Sequence, residues 1–474
     1  MNMRKTKIIC TLGPATESRE KLRALIEAGT NIFRLNMSHA THDWVRHVVK
    51  NIREVSHELN IITGIMMDTQ GPAIRTGDLE TKLDLKVGDT LDFSVRGEKS
   101  EDVYSVDVNY PGLINDISVG DTVLVDNGVI HLKVLSKDDP HIRCEVLTPG
   151  LLGSRRHINL PGVKVNLPPL TQKDLDDIAV GVAIGVDFFA LSFCREAADI
   201  LELRRVLDEA GSTARTIAKI EDQHAVSVID EIIAASDCIM VARGDLGIEC
   251  PMEELPIIQR RIVKKCIRVG RPVIVATHML ESMIENPLPT RAEITDVANA
   301  VYEEADAIML SGETTVGKYP VECVNVFVRV ARRIERSGGL GFADQAQVET
   351  IRHKTASAAV ALADSLPQSK ILVFTKRGLL ANYFSQMRPL KAPIFAFTPS
   401  GEVARGLTIN WGTHPLVMSF EINPEHTIAG AEKLLLSRGL VKAGDQLIIL
   451  TDVLAGGERF DSVQVRHVVD ERTS

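Results

Sequence analysis

The chain has 474 residues, of which 45% are hydrophobic and 25% are charged, as expected of a globular protein with more than one domain. Its net charge of -9 at pH 7 argues against a large surface for nucleic acid or for an anionic membrane. Seven cysteines without paired spacing favour a reduced compartment over a disulfide framework. The apolar run near the N-terminus stops at Gly13, too early for a signal peptide, so we expect a cytoplasmic chain without membrane spans.

Eight short segments along the chain begin with apolar residues and end with polar residues or glycine. They are TKIICTLG, NIFRLNMS, TGIMMDT, DFFALSF, TIAKIE, CIMVARGD, PVIVATHM and DAIMLSGET. Continuous apolar runs of this length are typical of parallel strands that are covered on both faces. Helical patterns lie between them, with capping-box pairs at Thr171 and Asp174 and at Thr290 and Glu293. Eight alternations of strand and helix predict an α/β fold built on a (β/α)₈ TIM barrel.

Two further regions interrupt or follow the barrel pattern. KLDLKVGDTLDFSV and DTVLVDNGVIHLKVL alternate with period two, which predicts an inserted all-β domain that could act as a lid. After the linker-like SGGLGFADQAQ, helix and strand patterns alternate again and predict a third, α/β domain. We therefore expect a barrel at 1–69 and 169–340, a β-rich lid at 70–168, and a C-terminal regulatory domain at 345–474.

The polar ends of the predicted strands carry the candidate chemistry, because the active site of such a barrel lies at the C-terminal ends of its strands. Lys219 and Glu221 are two residues apart on one strand, so their side chains point the same way. Asp245 follows another strand and lies among glycines. Two carboxylates suit Mg²⁺, which usually keeps water and substrate oxygens among its ligands. A salt bridge at the barrel end explains the spacing equally well.

A second polar group surrounds the end of the second predicted strand. Arg34, Asn36 and Ser38 alternate along it, and Asp68 and Thr69 end the next strand. Arg34 is a candidate phosphate clamp. The surrounding oxygens are sufficient for a monovalent cation, although ordinary hydrogen bonding at strand ends is the better explanation of the spacing alone.

Three other polar residues are candidates of lower specificity. Thr277 and Ser311 place hydroxyls at strand ends, where most such groups satisfy the backbone. His39 adjoins the Asn36 and Ser38 group, whereas the histidines that follow it fit a solvated helix start.

Long ordered motifs resemble the pyruvate kinase family from Thr6 to about Arg336, and more weakly beyond. They are TKIICTLGPA, RLNMSHATH, MDTQGPAIRTG, AKIED, IMVARGDLGIE, ATHMLESM, PTRAEITDVANAV and DAIMLSGETTVGKYP. The resemblance implies a barrel with an inserted lid and a C-terminal α/β domain. It also implies a glycolytic homotetramer that transfers the phosphoryl group of phosphoenolpyruvate to ADP, giving ATP and pyruvate, under the control of a phosphorylated allosteric effector.

The resemblance also implies roles for individual residues. It implies Mg²⁺ or Mn²⁺ at Glu221 and Asp245, and a lysine that stabilises the transition state at Lys219. The other implied roles are phosphate binding by Arg34; substrate-carboxylate binding by Gly244, Asp245 and Thr277; enolate protonation by Ser311; nucleotide binding by Asn36, His39, Arg75 and Arg156; and K⁺ binding by Asn36, Ser38, Asp68 and Thr69.

Several positions depart from the family pattern. Arg156 stands where lysine is usual, and His278 where glutamine is common. Ala73 stands where a family glutamate accompanies a need for K⁺ and a lysine accompanies independence of it. In the C-terminal region, FTKRGLLANYF lacks a hydroxyl-rich phosphate cradle, and AGGERFD is unlike a glycine-rich effector loop. We therefore expect little activation by fructose 1,6-bisphosphate, and K⁺ activation despite Ala73.

Two other functions compete with this interpretation. A Mg²⁺-dependent lyase on the related phosphoenolpyruvate/pyruvate barrel would also pair Glu with Asp, but it would lack the inserted domain and RLNMSHA. A catalytically silent sensor paralogue would be marked by loss of Lys219, Glu221 or Asp245, and all three are present.

Overall fold

The computed structural model describes residues 3–95, 104–455 and 458–469, with backbone alone at 452–455 and 458–460. Gly456 and Gly457 of the AGGERFD segment, on which the sequence prediction about effectors partly depends, lie outside the described residues. None of the helices within the described ranges is long and apolar enough to cross a membrane.

A closed barrel of eight parallel strands forms the centre of the molecule, in the order β1-β16-β15-β14-β13-β12-β3-β2. The first part consists of β1 (Lys7–Thr11), α1 (Arg19–Ala28), β2 (Ile32–Asn36), α2 (His42–Leu59) and β3 (Gly64–Asp68). All eight strands predicted from the sequence take part, so the predicted fold class is confirmed. The strands close into a barrel because their continuous apolar residues are buried on both faces, inside the barrel and under the helices.

The lid segment, which we define as residues 70–168, leaves the barrel after β3. The elements in its described residues are β4 (Leu83–Leu85), β5 (Thr90–Ser94), β6 (Ser105–Asp107), α3 (Leu113–Asp116), β7 (Thr122–Val125), β8 (Ile130–Asp138), β9 (His141–Val146), β10 (Gly150–Leu152) and β11 (Ile158–Asn159). They form a two-stranded sheet and a six-stranded sheet around a separate apolar core, as the period-two alternation predicts.

The barrel then resumes and is completed. Its second part consists of α4 (Gln172–Ala183), β12 (Phe188–Leu191), α5 (Ala197–Glu209), β13 (Arg215–Ile220), α6 (Gln223–Ser227), α7 (Ile229–Ala235), β14 (Cys238–Ala242), α8 (Arg243–Glu249), α9 (Leu255–Val269), β15 (Val273–Ala276), α10 (Arg291–Tyr302), β16 (Ala307–Leu310), α11 (Gly312–Thr315) and α12 (Pro320–Ile334). Both predicted capping boxes are present, at the N-termini of α4 and α10. Reciprocal bonds of this kind satisfy backbone donors that have no partner within the helix.

The C-terminal region is a five-stranded sheet with helices, in the order β19-β18-β17-β20-β21. It consists of α13 (Ile351–Ser365), β17 (Ser369–Phe374), α14 (Leu379–Gln386), β18 (Ile394–Thr398), α15 (Gly401–Gly406), β19 (Thr413–Val417), α16 (Pro424–Ser437), β20 (Gln446–Ala455) and β21 (Glu458–His467). Arg388 joins it to the barrel through a buried ion pair with Asp306, 2.7 Å long. This contact is at the N-terminal end of β16, so the opposite, C-terminal end of the barrel stays open to the lid.

Candidate active site

The polar ends of the barrel strands meet the lid around a cavity of about 350 Å³. Nine of the residues that line it were candidates from the sequence: Arg34, Asn36, Ser38, Thr69, Arg75, Arg156, Lys219, Glu221 and Asp245. Ala73, which departs from the family pattern, lines it too. The lid contributes Asp126, Asn127 and Arg155 as well. Barrel and lid therefore share one polar cavity in which cations and carboxylates face each other.

Lys219, near the end of β13, is a buried cation of this cavity with three polar partners. Its Nζ lies 2.7 Å from Ser192 Oγ, 2.9 Å from Glu221 Oε1 and 3.2 Å from Asp68 Oδ1. Burial lowers the pKa of the ammonium, but Asp68 and Glu221 outweigh burial and raise the pKa above its ordinary value. These anionic neighbours therefore favour the protonated, cationic form of Lys219.

Asp68 joins Lys219 to the second cation, Arg34. The parallel register of β2 and β3 pairs Asn36 with Asp68, which brings Arg34 on the same strand close to the carboxylate. Arg34 Nε donates to Asp68 Oδ2 at 2.6 Å, and a terminal nitrogen of Arg34 donates to Thr11 Oγ1 at 3.1 Å. Burial alone would raise the pKa of Asp68, but Lys219 and Arg34 lower it. Asp68 is therefore a carboxylate paired with two cations.

Glu221 and Asp245 offer carboxylates to the same cavity from two neighbouring strands of the barrel. Glu221 is 2% exposed, and its Oε2 accepts the backbone N–H of Phe193 at 2.6 Å. Burial and the like charge of Asp245 raise the pKa of Glu221 to about 7, although Lys219 opposes them. A divalent cation between the two carboxylates would relieve this repulsion. Two carboxylates that leave room for water and substrate oxygens are a donor set that fits Mg²⁺.

Gly244 and Thr277 are hydrogen-bonded to each other. Thr277 Oγ1 accepts the Gly244 N–H at 2.7 Å and donates to the carbonyl of Ala276 at 2.6 Å. Thr277 has φ +69°, a left-handed conformation that is costly for a β-branched residue and that concentrates at functional sites. A substrate carboxylate bound at the Gly244 amide would take the place of the threonine hydroxyl.

The residues expected at the nucleotide are arranged around the lid edge. Arg156 pairs with Asp126 of the lid at 3.2 Å, and its buried Nε has no hydrogen-bond partner in the described part of the chain. Arg75 is exposed and donates to the carbonyl of Arg155 at 3.2 Å. Both guanidiniums line the shared cavity from its lid side.

A neighbouring cavity of about 530 Å³ opens beside the first and shares Arg34 and Asn36 with it. His39 and Ser311 line this second cavity. The Ser311 hydroxyl is buried without a hydrogen-bond partner among the described atoms. The structure thus brings Ser311 and His39 to the site but away from Lys219.

Sequence reasoning missed three parts of this arrangement. Ser192, at the end of the DFFALSF segment, was given no role, yet it accepts from Lys219 and donates to the carbonyl of Thr69 at 2.7 Å. Phe193 has φ +54° and holds Glu221 through its backbone, a role that leaves no mark in the sequence. His157 lies with its ring centroid 5.7 Å from that of Phe193, and burial lowers the pKa of its imidazole although Asp245 opposes this.

Comparisons with known proteins identify the family of this chain. The family model for the pyruvate kinase barrel domain matches residues 3–324, and the model for the pyruvate kinase alpha/beta domain matches residues 353–465. Pyruvate kinase isozyme G, chloroplastic, of Nicotiana tabacum is 43% identical over 453 residues, which are 94% of this chain and 80% of that protein. The pyruvate kinase of Geobacillus stearothermophilus is 41% identical over 476 residues, 99% of this chain and 81% of that protein.

A solved structure gives the same result in three dimensions. The crystal structure of a pyruvate kinase from Cryptosporidium parvum superposes with a TM-score of 0.91 at 36% sequence identity, covering 97% of this chain and 96% of that one. Sequence, family models and fold therefore agree along nearly the whole length, and the chain belongs to the pyruvate kinase family.

Proposed function

We propose that this chain transfers the phosphoryl group of phosphoenolpyruvate to ADP and releases ATP and pyruvate. One observation carries the proposal: the buried Lys219 ammonium lies in the cavity shared by barrel and lid, bonded to Ser192, Asp68 and Glu221, with Asp245 lining the same cavity. A lyase would lack the β-rich lid segment, and a silent paralogue would be marked by loss of Lys219, Glu221 or Asp245, all of which are present.

The chain's own groups match the demands of phosphoryl transfer, which needs positioning and positive charge around the equatorial oxygens. Lys219 keeps its proton because of its anionic neighbours, so it can neutralise charge on the transferred group and then on the enolate oxygen. Arg34, 11% exposed and oriented by Asp68, supplies a second donor for phosphate. When bound at Glu221 and Asp245, Mg²⁺ would act as a Lewis acid that polarises phosphoryl and carbonyl oxygens.

We propose that the nucleotide lies toward Arg75 and Arg156, with Asn36 and His39 on the barrel side. The lid then excludes water from the reacting groups, which strengthens each electrostatic contact. Thr277 and Gly244 are proposed to exchange their mutual hydrogen bond for the substrate carboxylate. Ser311, with a hydroxyl that no described group engages, is proposed to deliver a proton to the enolate.

A monovalent cation is proposed at Asn36, Ser38, Asp68 and Thr69. The four residues cluster at the ends of β2 and β3, and Asn36, Ser38 and Thr69 line the shared cavity. Asp68 is already paired with two cations, so the reason for K⁺ is not an unpaired carboxylate. It is the added positive charge that K⁺ would bring to a cavity in which Ala73 supplies none.

We also propose the domain bounds 1–69 with 169–340, 70–168 and 345–474, a homotetrameric assembly and a phosphorylated effector. Separate apolar cores in the lid segment and in the C-terminal sheet support the division. For assembly and effector the support is membership of the family.

A coupled assay tests the proposed reaction and separates it from its competitors. Pyruvate should form from phosphoenolpyruvate only when ADP and Mg²⁺ are both present, and ATP should form in equal amount. Pyruvate or another product formed without ADP would favour a lyase, and no turnover by the folded protein would favour a silent paralogue. Either result would contradict the proposal.

A further inference from the structure

The lid segment is joined to the barrel at two places, and a barrel carboxylate accepts hydrogen bonds from the lid at each. Where the chain leaves the barrel, the backbone N–H groups of Gln70 and Gly71 donate to Asp174 Oδ1 at 3.0 and 3.1 Å. Where it returns, Asn159 and the backbone N–H of Leu160 donate to the carboxylate of Glu249. Asp174 has a second duty as a helix cap, whereas Glu249 has no such duty.

The contact at the return is buried and specific. Asn159 Nδ2 lies 3.1 Å from Glu249 Oε1, and the two residues are 5% and 7% exposed. Asn159 belongs to β11, which pairs with β7 in the six-stranded sheet, so it moves with the lid. Asn159 Oδ1 is buried and has no partner in the described part of the chain. The amide is therefore held by Glu249 alone, and loss of the carboxylate would leave it without any hydrogen bond.

Glu249 also lies next to both candidate metal-binding segments. It is the last residue of α8, one helical turn after Asp245, so the two side chains lie on the same side of the helix. Its backbone carbonyl accepts a hydrogen bond from the side chain of Gln223, which is two residues after Glu221. The end of the lid is thus connected through one residue to the segments that carry Glu221 and Asp245.

Burial and the neighbouring charges both affect the pKa of Glu249. Burial raises the pKa of its carboxyl to about 7, and the like charges of Asp222 and Asp245 act in the same direction. The hydrogen bonds from Asn159 and Leu160 act in the opposite direction. The donors from the lid therefore offset part of the cost of burying this carboxylate, which ties its position to that of the lid.

We propose that Glu249 is a positioning residue that clasps the returning strand of the lid to α8, so that lid position and the placement of Asp245 are set together. The proposal rests on the proposed function, because it assigns Asp245 to the metal. It predicts that loss of the clasp loosens the lid and weakens divalent-cation binding, without removing any group that touches substrate.

The experiment measures lid position and metal binding separately from turnover. A variant with Val119→Cys in the lid and Leu201→Cys in the barrel, both at exposed sites, carries a spin label on each new cysteine. Double electron–electron resonance then measures the distance between lid and barrel. All seven native cysteines are buried, so labelling is specific to the two new thiols. Mn²⁺ titration followed by electron paramagnetic resonance gives the affinity of the cation alone.

The variants separate a clasp from a mere packing contact. Glu249→Ala should broaden the lid–barrel distance distribution and weaken Mn²⁺ binding by about tenfold, the usual effect of losing a hydrogen bond to a charged group. Glu249→Gln keeps an acceptor for Asn159 or Leu160 and gains a donor for Asn159 Oδ1, so it should restore both readouts. Glu254→Gln removes an exposed carboxylate five residues away and is the matched control, with no change expected.

Several outcomes would overturn the clasp. These are a native distance distribution and native Mn²⁺ affinity in Glu249→Ala, or a Glu249→Gln variant as impaired as the alanine variant. If Glu249→Ala fails to fold by circular dichroism, Asn159→Ala makes the same test from the lid side and should give the same broadening. If the wild-type protein makes no pyruvate but the variants still lose lid order, the proposed function is refuted and the clasp still holds.

Discussion

At the scale of single residues, the position of Lys219 relative to Glu221 could be predicted because side chains two apart on a strand point the same way. The bond from Lys219 to Ser192, 2.7 Å long, could not, because it depends on how neighbouring strands β12 and β13 align. The backbone of Phe193, at φ +54°, was beyond prediction for a different reason. Phenylalanine carries no preference for that conformation, so only tertiary contacts impose it.

Lys219 provides the sharpest residue-scale prediction. Lys219→Met should lower kcat by about 10³-fold while KM for phosphoenolpyruvate changes less, because the ammonium acts mainly on charge that develops in the transition state. Lys7→Met is the matched control. It removes another buried lysine, 2% exposed, at the opposite end of the barrel, and should keep most of the wild-type kcat. Equal loss in both variants would mean that burial of a lysine, rather than its place in the cavity, matters.

The acidic pair gives a second prediction. Glu221→Gln and Asp245→Asn should each reduce turnover at ordinary Mg²⁺ by at least about 10²-fold and weaken Mn²⁺ binding, with the unfolding temperature little changed, because both lie at a polar cavity. Electron paramagnetic resonance of Mn²⁺ and steady-state rates measure the two effects. A variant with near-native kcat at ordinary Mg²⁺ would remove that residue from the metal site.

The third prediction concerns activation by K⁺. K⁺ should raise kcat severalfold over tetramethylammonium, and Ala73→Lys should reduce that ratio, because a lysine there brings its own charge to the cavity lined by Ala73. Two unit charges about 4 Å apart interact by roughly 4 kcal/mol at an effective dielectric of 20, which is enough to affect turnover. Ala73→Gln adds length without charge and serves as control. Equal wild-type rates in the two salts would refute the potassium proposal.

At the scale of secondary-structure elements, prediction succeeded wherever a local signal determines structure. Thr171 with Asp174 predicts the start of α4, and the capping box there is present. The linker-like stretch after α12 was less predictable. Two short turns of 3-10 helix, Glu335–Ser337 and Phe342–Gln345, pack it against the barrel, with the N–H of Gln347 donating to the carbonyl of Arg268. Such contacts come from distant helices and leave no periodic pattern.

The end of α8 gives a prediction about pH. The folded-state pKa of Glu249, raised to about 7 by burial, exceeds its ordinary value of 4.5, so ionisation costs more in the folded protein than in the unfolded chain. The neutral carboxyl therefore favours the folded state. Its contribution to the free energy of unfolding is fully present below about pH 4.5 and is lost as pH rises to about 7. Over this pH range the free energy of unfolding should fall less in Glu249→Gln than in the wild type, by on the order of 1–3 kcal/mol.

Chemical denaturation between pH 5 and pH 8 measures this difference. Glu254→Gln, which removes an exposed carboxylate, should keep the wild-type slope. A Glu249→Gln curve parallel to that of the wild type would mean that the carboxyl ionises as freely in the folded protein as in the unfolded chain.

At the scale of the whole molecule, the barrel, the β-rich insertion and the C-terminal α/β sheet could all be predicted. Alternating strand and helix patterns mark the barrel and the C-terminal sheet, and a hydrophobic period of two marks the insertion. How the C-terminal sheet docks could not. The ion pair of Arg388 with Asp306 joins residues 82 apart in sequence, and neither residue carries a signal for the other. The control of activity by that sheet stays a prediction.

Fructose 1,6-bisphosphate should shift the phosphoenolpyruvate saturation curve little. The segment after β17 offers Lys376 and Arg377 but then Leu379, which is 53% exposed at the start of α14 where a second phosphate would need polar contacts. A monophosphate such as AMP or a pentose phosphate should act more strongly. Rate curves with each compound decide, and a large shift with micromolar bisphosphate would contradict this prediction.

In the proposed reaction, one cavity that is built on Lys219 and closed by the lid moves a phosphoryl group between two bound substrates. Phosphorus magnetic resonance tests it most directly by following the phosphorus of phosphoenolpyruvate in the presence of ADP and Mg²⁺. We expect this signal to be replaced by that of the γ-phosphorus of ATP, with no inorganic phosphate formed in parallel, and Lys219→Met to slow the conversion by about 10³-fold. Appearance of inorganic phosphate in place of ATP, or an unchanged rate in the Lys219 variant, would contradict it.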